Sequence, residues 1–150
     1  MSKKTLGLIL LIIILPVVVY LFVPSDASRI NKLFKEGAKA VEREDIDAVM
    51  SKVSFNYRDE YGFTYLYVKE SMKSVFRQWG DINIEYENMK IDIKDKTAVA
   101  EIDVRVTASI GDNRGYVIGD LMKPVHLTFT LEKERTKWLV TKTEGLPFDL

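Results

Sequence analysis

The stretch Gly80–Lys94, "GDINIEYENMKIDIK", decides the fold. Ile82, Ile84 and Tyr86 alternate with Asn83, Glu85 and Glu87, the period-2 pattern of a strand with one wet face. Met89, Ile91 and Ile93 then carry the alternation on the opposite parity. A single strand changes parity only by taking in an extra residue, so a bulge and a bend are expected near Glu87-Asn88. Before Gly80 the apolar residues recur at helical spacing instead.

Working outward toward the N-terminus, Tyr65, Val68, Met72, Val75, Phe76 and Trp79 share one helical face. Thr64 is a suitable N-cap for that helix and Gly80 a suitable C-terminal stop. Residues 28–42, "SRINKLFKEGAKAVE", place Ile30, Leu33, Phe34, Gly37, Ala38 and Val41 on one face of an amphipathic helix. Asp45 can cap a shorter helix with Ile46, Val49, Met50 and Val53 inside.

Working outward toward the C-terminus, "IKDKTA" is a turn. Ala98, Ala100, Ile102, Val104, Val106, Ala108 and Ile110 then alternate with Glu101, Asp103, Arg105, Thr107 and Ser109. That is a long strand with one solvated face. Gly111, Gly115 and Gly119 space a connection read as a hairpin tip. Val125, Leu127, Phe129 and Leu131 form the inner face of the next strand, with His126, Thr128 and Thr130 outside, and "WLVTKT" is the last strand. Helices first and strands after define an α+β class: about three helices packed on a bent antiparallel sheet of about four strands.

Residues 6–23, "LGLILLIIILPVVVYLFV", are 18 uncharged residues in a row. As a helix they would be roughly 27 Å long, close to the hydrocarbon thickness of a bilayer. The expected organisation is a short cytoplasmic tail at 1–5, a transmembrane anchor at 6–23, a linker at 24–27 and one domain at 28–150. A cleaved signal peptide is the competing reading, with Ser25-Asp26-Ala27 as a small-x-small site, but its apolar core is typically shorter, about 7–15 residues. The absence of cysteine excludes a lipoprotein anchor. Lys3 and Lys4 favour a cytoplasmic N-terminus and a domain outside the cytoplasm, although Arg29, Lys32 and Lys35 follow the span. The chain carries 22 basic and 22 acidic residues, and nothing in it forms the basic footprint of a nucleic-acid binder.

The element order, the bent first strand and the long hairpins resemble the nuclear transport factor 2-like superfamily. This is the cone-shaped fold of SnoaL-like, polyketide-cyclase-like and ketosteroid-isomerase-like proteins. The resemblance covers about residues 28–145. The cadence "YRDEYG" before a helix ending in "VFRQW" is similar to that of bacterial membrane-anchored members of unassigned activity. The layout of tail, span and domain also resembles inner-membrane assembly proteins of type IV secretion systems. The resemblance implies an inner-membrane protein whose domain binds a small hydrophobic ligand or an assembly partner. Fold alone does not fix function.

For catalysis, Asp59 could act as a general base with Tyr57 or Tyr61 as oxyanion donors, as an Asp and a Tyr do in ketosteroid-isomerase-like enzymes. The bland alternative is that Asp59 opens a type I turn closed by Gly62, solvated beside Arg58 and Glu60. This second reading is the expectation, and the protein is read as a binding module rather than an isomerase-, cyclase- or dehydratase-like enzyme on an apolar substrate. Tyr57, Tyr65, Phe76, Trp79 and Phe129 are the residues expected to line a ligand pocket if Ala98 and Ala100 leave room for one. His126, with only Thr128 and Glu101 as conceivable partners, makes no zinc site. No metal and no cofactor is expected. The polar sheet face, with Arg105, His126 and Thr128, is the surface for a homodimer.

Overall fold

The structure is a computed structural model that describes residues 3–147, with side chains from residue 10 onward. The first two residues of the expected tail and the last three of the expected domain lie outside the described residues. Among the described residues the chain forms four helices and five strands. The helices are α1 Lys3–Phe22, α2 Asp26–Glu42, α3 Ile46–Met50 and α4 Tyr65–Gln78. The strands are β1 Trp79–Lys94, β2 Thr97–Ile110, β3 Asn113–Ile118, β4 Val125–Glu134 and β5 Lys137–Glu144.

α1 begins at Lys3, inside the stretch expected as tail, and continues through Pro16. Its side chains from Leu10 to Phe22 are all exposed, and both core clusters are built from residues beyond it. By length and composition it can cross a membrane, a property it shares with signal sequences. The linker is shorter than expected. Ser25 accepts a hydrogen bond from the Ser28 N–H at 3.2 Å and so caps α2, which starts at Asp26.

The expected parity switch is present. The pairing of β1 with β2 slips between Glu87 and Lys90, where three steps along β1 match two along β2, from Asp103 to Glu101. Asn88 takes the extra place with φ +55, a left-handed backbone that Asn tolerates better than most residues. A second slip lies between Gly80 and Asn83, with Asp81 at φ +47. The expected glycine stop of α4 is not used. The helix ends at Gln78, and Trp79, with φ −105 and ψ 139, already starts β1. Thr64 occupies the N-cap position without a side-chain hydrogen bond, whereas Asp45 caps α3 through Ala48 N–H at 3.0 Å.

The sheet runs β1-β2-β4-β5, all antiparallel. β2 is long enough for two partners on one edge: Thr97–Val104 pair with β4, and Val106–Ile110 pair with β3. The glycine-spaced connection therefore holds a fifth strand. The chain passes from β3 to β4 through Gly119 at φ +70, where a Cβ would lie 3.2 Å from the Val104 carbonyl oxygen.

The segment between α3 and α4 covers the outer edge of β5. Ser54 N–H donates to Val140 O at 2.9 Å, Val140 N–H to Lys52 O at 2.9 Å and Arg58 N–H to Thr141 O at 3.0 Å. An unpaired sheet edge is thereby closed.

α2 lies across the concave face of the sheet. Ile30, Leu33, Tyr57, Ala98, Ala100, Leu131, Trp138 and Val140 form one buried cluster. Ile82, Ile102, Val104, Val106, Ala108 and Leu127 form a second. Phe34 and Phe129 pack against both, with ring centroids 5.0 Å apart in edge-on contact. Ile30 and Leu33 of α2 share the first buried cluster with Ala98 and Ala100.

Asp26 ties the start of α2 to the β4–β5 hairpin. Its carboxylate accepts from Lys133 Nζ at 2.8 and 3.0 Å and from Trp138 Nε1 at 3.0 Å. The Lys133 hydrogen bond, then that of Trp138, holds its carboxyl below the ordinary 3.8. A depressed carboxyl contributes stability that is complete above the ordinary value and fades as the pH falls through the lowered one. Thermal melts between roughly pH 5 and pH 2 should therefore fall more steeply for the natural chain than for Asp26→Asn. The group is about a third exposed, so the difference should stay near or below about 1 kcal/mol. Parallel melting curves for the two proteins would contradict this role.

Candidate functional site

Three places in the domain gather chemistry. The first is the cone interior at the end of β5. Tyr57 is buried, and its hydroxyl lies near Thr143, itself buried. Burial pushes the Tyr57 phenol up, and the Asp59 carboxylate nearby adds to this. Asp59 is 8% exposed, so it is not the solvated turn residue expected from its charged neighbours. Its Oδ1 folds back over its own turn and accepts from Tyr61 N–H at 2.9 Å and Phe63 N–H at 2.8 Å. Gly62 N–H donates to the Asp59 carbonyl at 3.1 Å, with Gly62 at φ +83. Oδ1 is thus a structural acceptor inside a tight turn.

The five aromatic residues expected around a pocket divide between the two core clusters. Tyr57, Tyr65 and Phe129 pack in the first cluster, while Phe76 and Trp79 pack against the second, which Phe129 also touches. Every buried side-chain nitrogen or oxygen among the described residues has a partner. The two cavities that stand out open outward. One lies along the exposed leucines of α1. The other is a groove between α2 and β1 of about 550 Å³.

The second place is the outer sheet face. His126 meets neither Thr128 nor Glu101 as a side-chain partner. Its Nδ1 lies 2.8 Å from Asp103 Oδ1, because β2 and β4 set these two residues directly opposite each other. Asn88 Nδ2 donates to the other Asp103 oxygen at 2.9 Å. The Asn88 amide first, and then His126, hold the Asp103 carboxyl below its ordinary range. Arg105 Nη1 donates to Glu87 at 2.8 Å and its Nε to the Asp120 carbonyl at 3.0 Å. The bulge supplies this network: it brings Asn88 over Asp103. Arg105 and His126, expected at a dimer interface, are thus engaged within one chain. Asp103 and Asn88 could have been found only from the strand register.

The third place is an aromatic ridge at the start of α4. Phe55 is 81% exposed, Leu66 70%, Tyr67 51% and Tyr61 50%. Phe55 packs on Tyr65 with centroids 4.6 Å apart, and Phe63 stacks on Tyr67 at 4.0 Å. Exposed apolar groups joined in this way mark interaction surfaces more often than isolated ones do.

A sheet wrapped around one long helix, with a bulged first strand, defines the nuclear transport factor 2-like class. Within it, residues 30–143 match the SnoaL-like domain, and the chain belongs to that family. No curated protein matches the chain in sequence. Among solved structures, a candidate aromatic ring hydroxylase from Novosphingobium aromaticivorans is similar at 19% identity and TM-score 0.65, covering 77% of this chain and 83% of that one. A candidate scytalone dehydratase from the same organism has 10% identity and TM-score 0.67, over 77% and 78% of the two chains. A nuclear transport factor 2-like protein with a cystatin-like fold, again from that organism, has 11% identity and TM-score 0.63 over 99% and 91%. At these identities the likeness is one of fold.

Proposed function

We propose that this protein is a membrane-anchored, extracytoplasmic SnoaL-like module that works by binding an assembly partner, not by turning over a substrate inside its cone. The reading is supported by the contact of Phe34 with Phe129, which meet edge-on between the two core clusters. The neighbours described as a dehydratase and a hydroxylase favour an enzyme on a small apolar substrate. That reading needs a free base facing a cavity, and Asp59 Oδ1 is committed to two backbone N–H groups. The aromatic ridge around Phe55 and Tyr67 is the surface we assign to the partner. α1 holds the module at the inner membrane, and Lys3 and Lys4 keep the N-terminus in the cytoplasm.

The test is fractionation with topology. The full chain with a C-terminal tag should resist alkaline extraction from membranes, and external protease should remove the tag from spheroplasts. Release at alkaline pH would mean that the apolar segment is a cleaved leader. A tag protected until lysis would place the domain in the cytoplasm.

A further inference from the structure

We infer that the groove between α2 and β1 binds the anionic phosphate headgroups of the bilayer that α1 enters, so that α2 lies along the membrane surface. The inference rests on the reading of α1 as a span. The groove is lined by Asn31, Lys32, Lys35, Glu36, Lys39 and Tyr86 and encloses about 550 Å³. Three ammonium groups face a single carboxylate there, and that carboxylate is already engaged. Glu36 accepts from Lys52, which reaches in from outside the groove, and lies 3.7 Å from Lys32. The Lys52 hydrogen bond holds the Glu36 carboxyl below its ordinary range, so it stays an anion already neutralised. Lys35 and Lys39 form no ion pair among the described residues. Lysine binds phosphate as a mobile point charge, and two unpaired lysines beside a phenol and an amide suit an oxyanion that needs no rigid fork.

Position selects the occupant. Only Val23, Pro24 and Ser25 separate α1 from α2, a reach of at most about 10 Å. The linker is also pinned. Arg29 Nε donates to Pro24 O at 3.2 Å, and its Nη1 donates to Thr136 O at 3.2 Å. Lys32, Lys35 and Lys39 then follow along about 10 Å of helix. Their face is turned away from the buried Ile30, Leu33 and Ala40. An upright α2 would carry Lys39 roughly 20 Å from the headgroups, beyond the Debye length of about 8 Å in physiological salt. Laid along the surface, all three lysines fall inside it. Basic side chains held within a Debye length of anionic lipid are attracted to it on whichever face of the bilayer that lipid lies, and Tyr86 is the kind of side chain that settles at headgroup level.

The full chain in nanodiscs tests this by amine acylation read residue by residue. In discs containing phosphatidylglycerol, Lys32, Lys35 and Lys39 should react roughly fivefold more slowly than in phosphatidylcholine discs. Lys123 and Lys142 should react alike in both, and raised salt should close the gap. The exposed-site variant Lys35→Glu/Lys39→Glu should lose the lipid-dependent protection of Lys32. Equal rates in both discs, with the chain retained in each, would overturn the inference and leave the anchor standing. Protection in phosphatidylcholine discs by excess inorganic phosphate, equal to that by phosphatidylglycerol, would also overturn it. A chain that fails to stay in phosphatidylcholine discs would refute the span. In that case, capture by phosphatidylglycerol discs alone would still support the headgroup site, and capture by neither would end both.

Discussion

Phe34→Ala should destabilise the domain by about 3 kcal/mol and lower its Tm by roughly 10 °C. Phe34 touches both halves of the core and meets Phe129 edge-on. Its removal therefore costs burial, the aromatic contact and a void at once. The void gives the prediction a second readout. A dry apolar cavity of that size takes up a small aromatic molecule, so benzene or indole should raise the Tm of the variant and leave that of the natural protein unchanged. If the natural protein responds to the same compounds, the cone already holds a cavity. Calorimetry with and without the compound measures both.

Asp59→Ala should cost about 2–3 kcal/mol, because a buried carboxylate that accepts two backbone N–H bonds leaves both donors orphaned when it goes. Asp59→Asn keeps an oxygen in the same place and should cost less than half as much. The comparison separates structure from catalysis. A turn acceptor loses stability in the order Ala then Asn. A general base would lose an activity equally in both while keeping the fold. Denaturant melts of the two variants give the order directly, and near-equal stability of Asp59→Ala with the natural chain would refute the turn role.

What could be read from the sequence follows physical lines. The bend in β1 was legible because a parity switch has one structural solution, and Asn88 takes it. The inner face of β2 was legible because every second residue from Ala98 to Ala108 is apolar, and all six are buried. β3 was not, since Asn113–Tyr116 are exposed on both faces and show no alternation. Gly80 suggested a helix stop, yet the helix passes straight into a strand and the left-handed residue is Asp81. Asp59 was expected to be solvated because Arg58 and Glu60 flank it. Its Oδ1 is taken up by the N–H groups of Tyr61 and Phe63 in its own turn, which composition does not reveal. The Asp103–His126 contact needed the register of β2 against β4, a long-range property that neither strand encodes alone.

Native mass spectrometry of the full chain, released gently from detergent, tests most directly whether the cone is closed by its own side chains. A closed binding module should appear at its bare sequence mass, with no added mass that denaturation removes. A protein carrying a small organic molecule, released on denaturation and lost in a variant of the interior such as Phe129→Ala, would contradict the account and return the cone to ligand binding or catalysis.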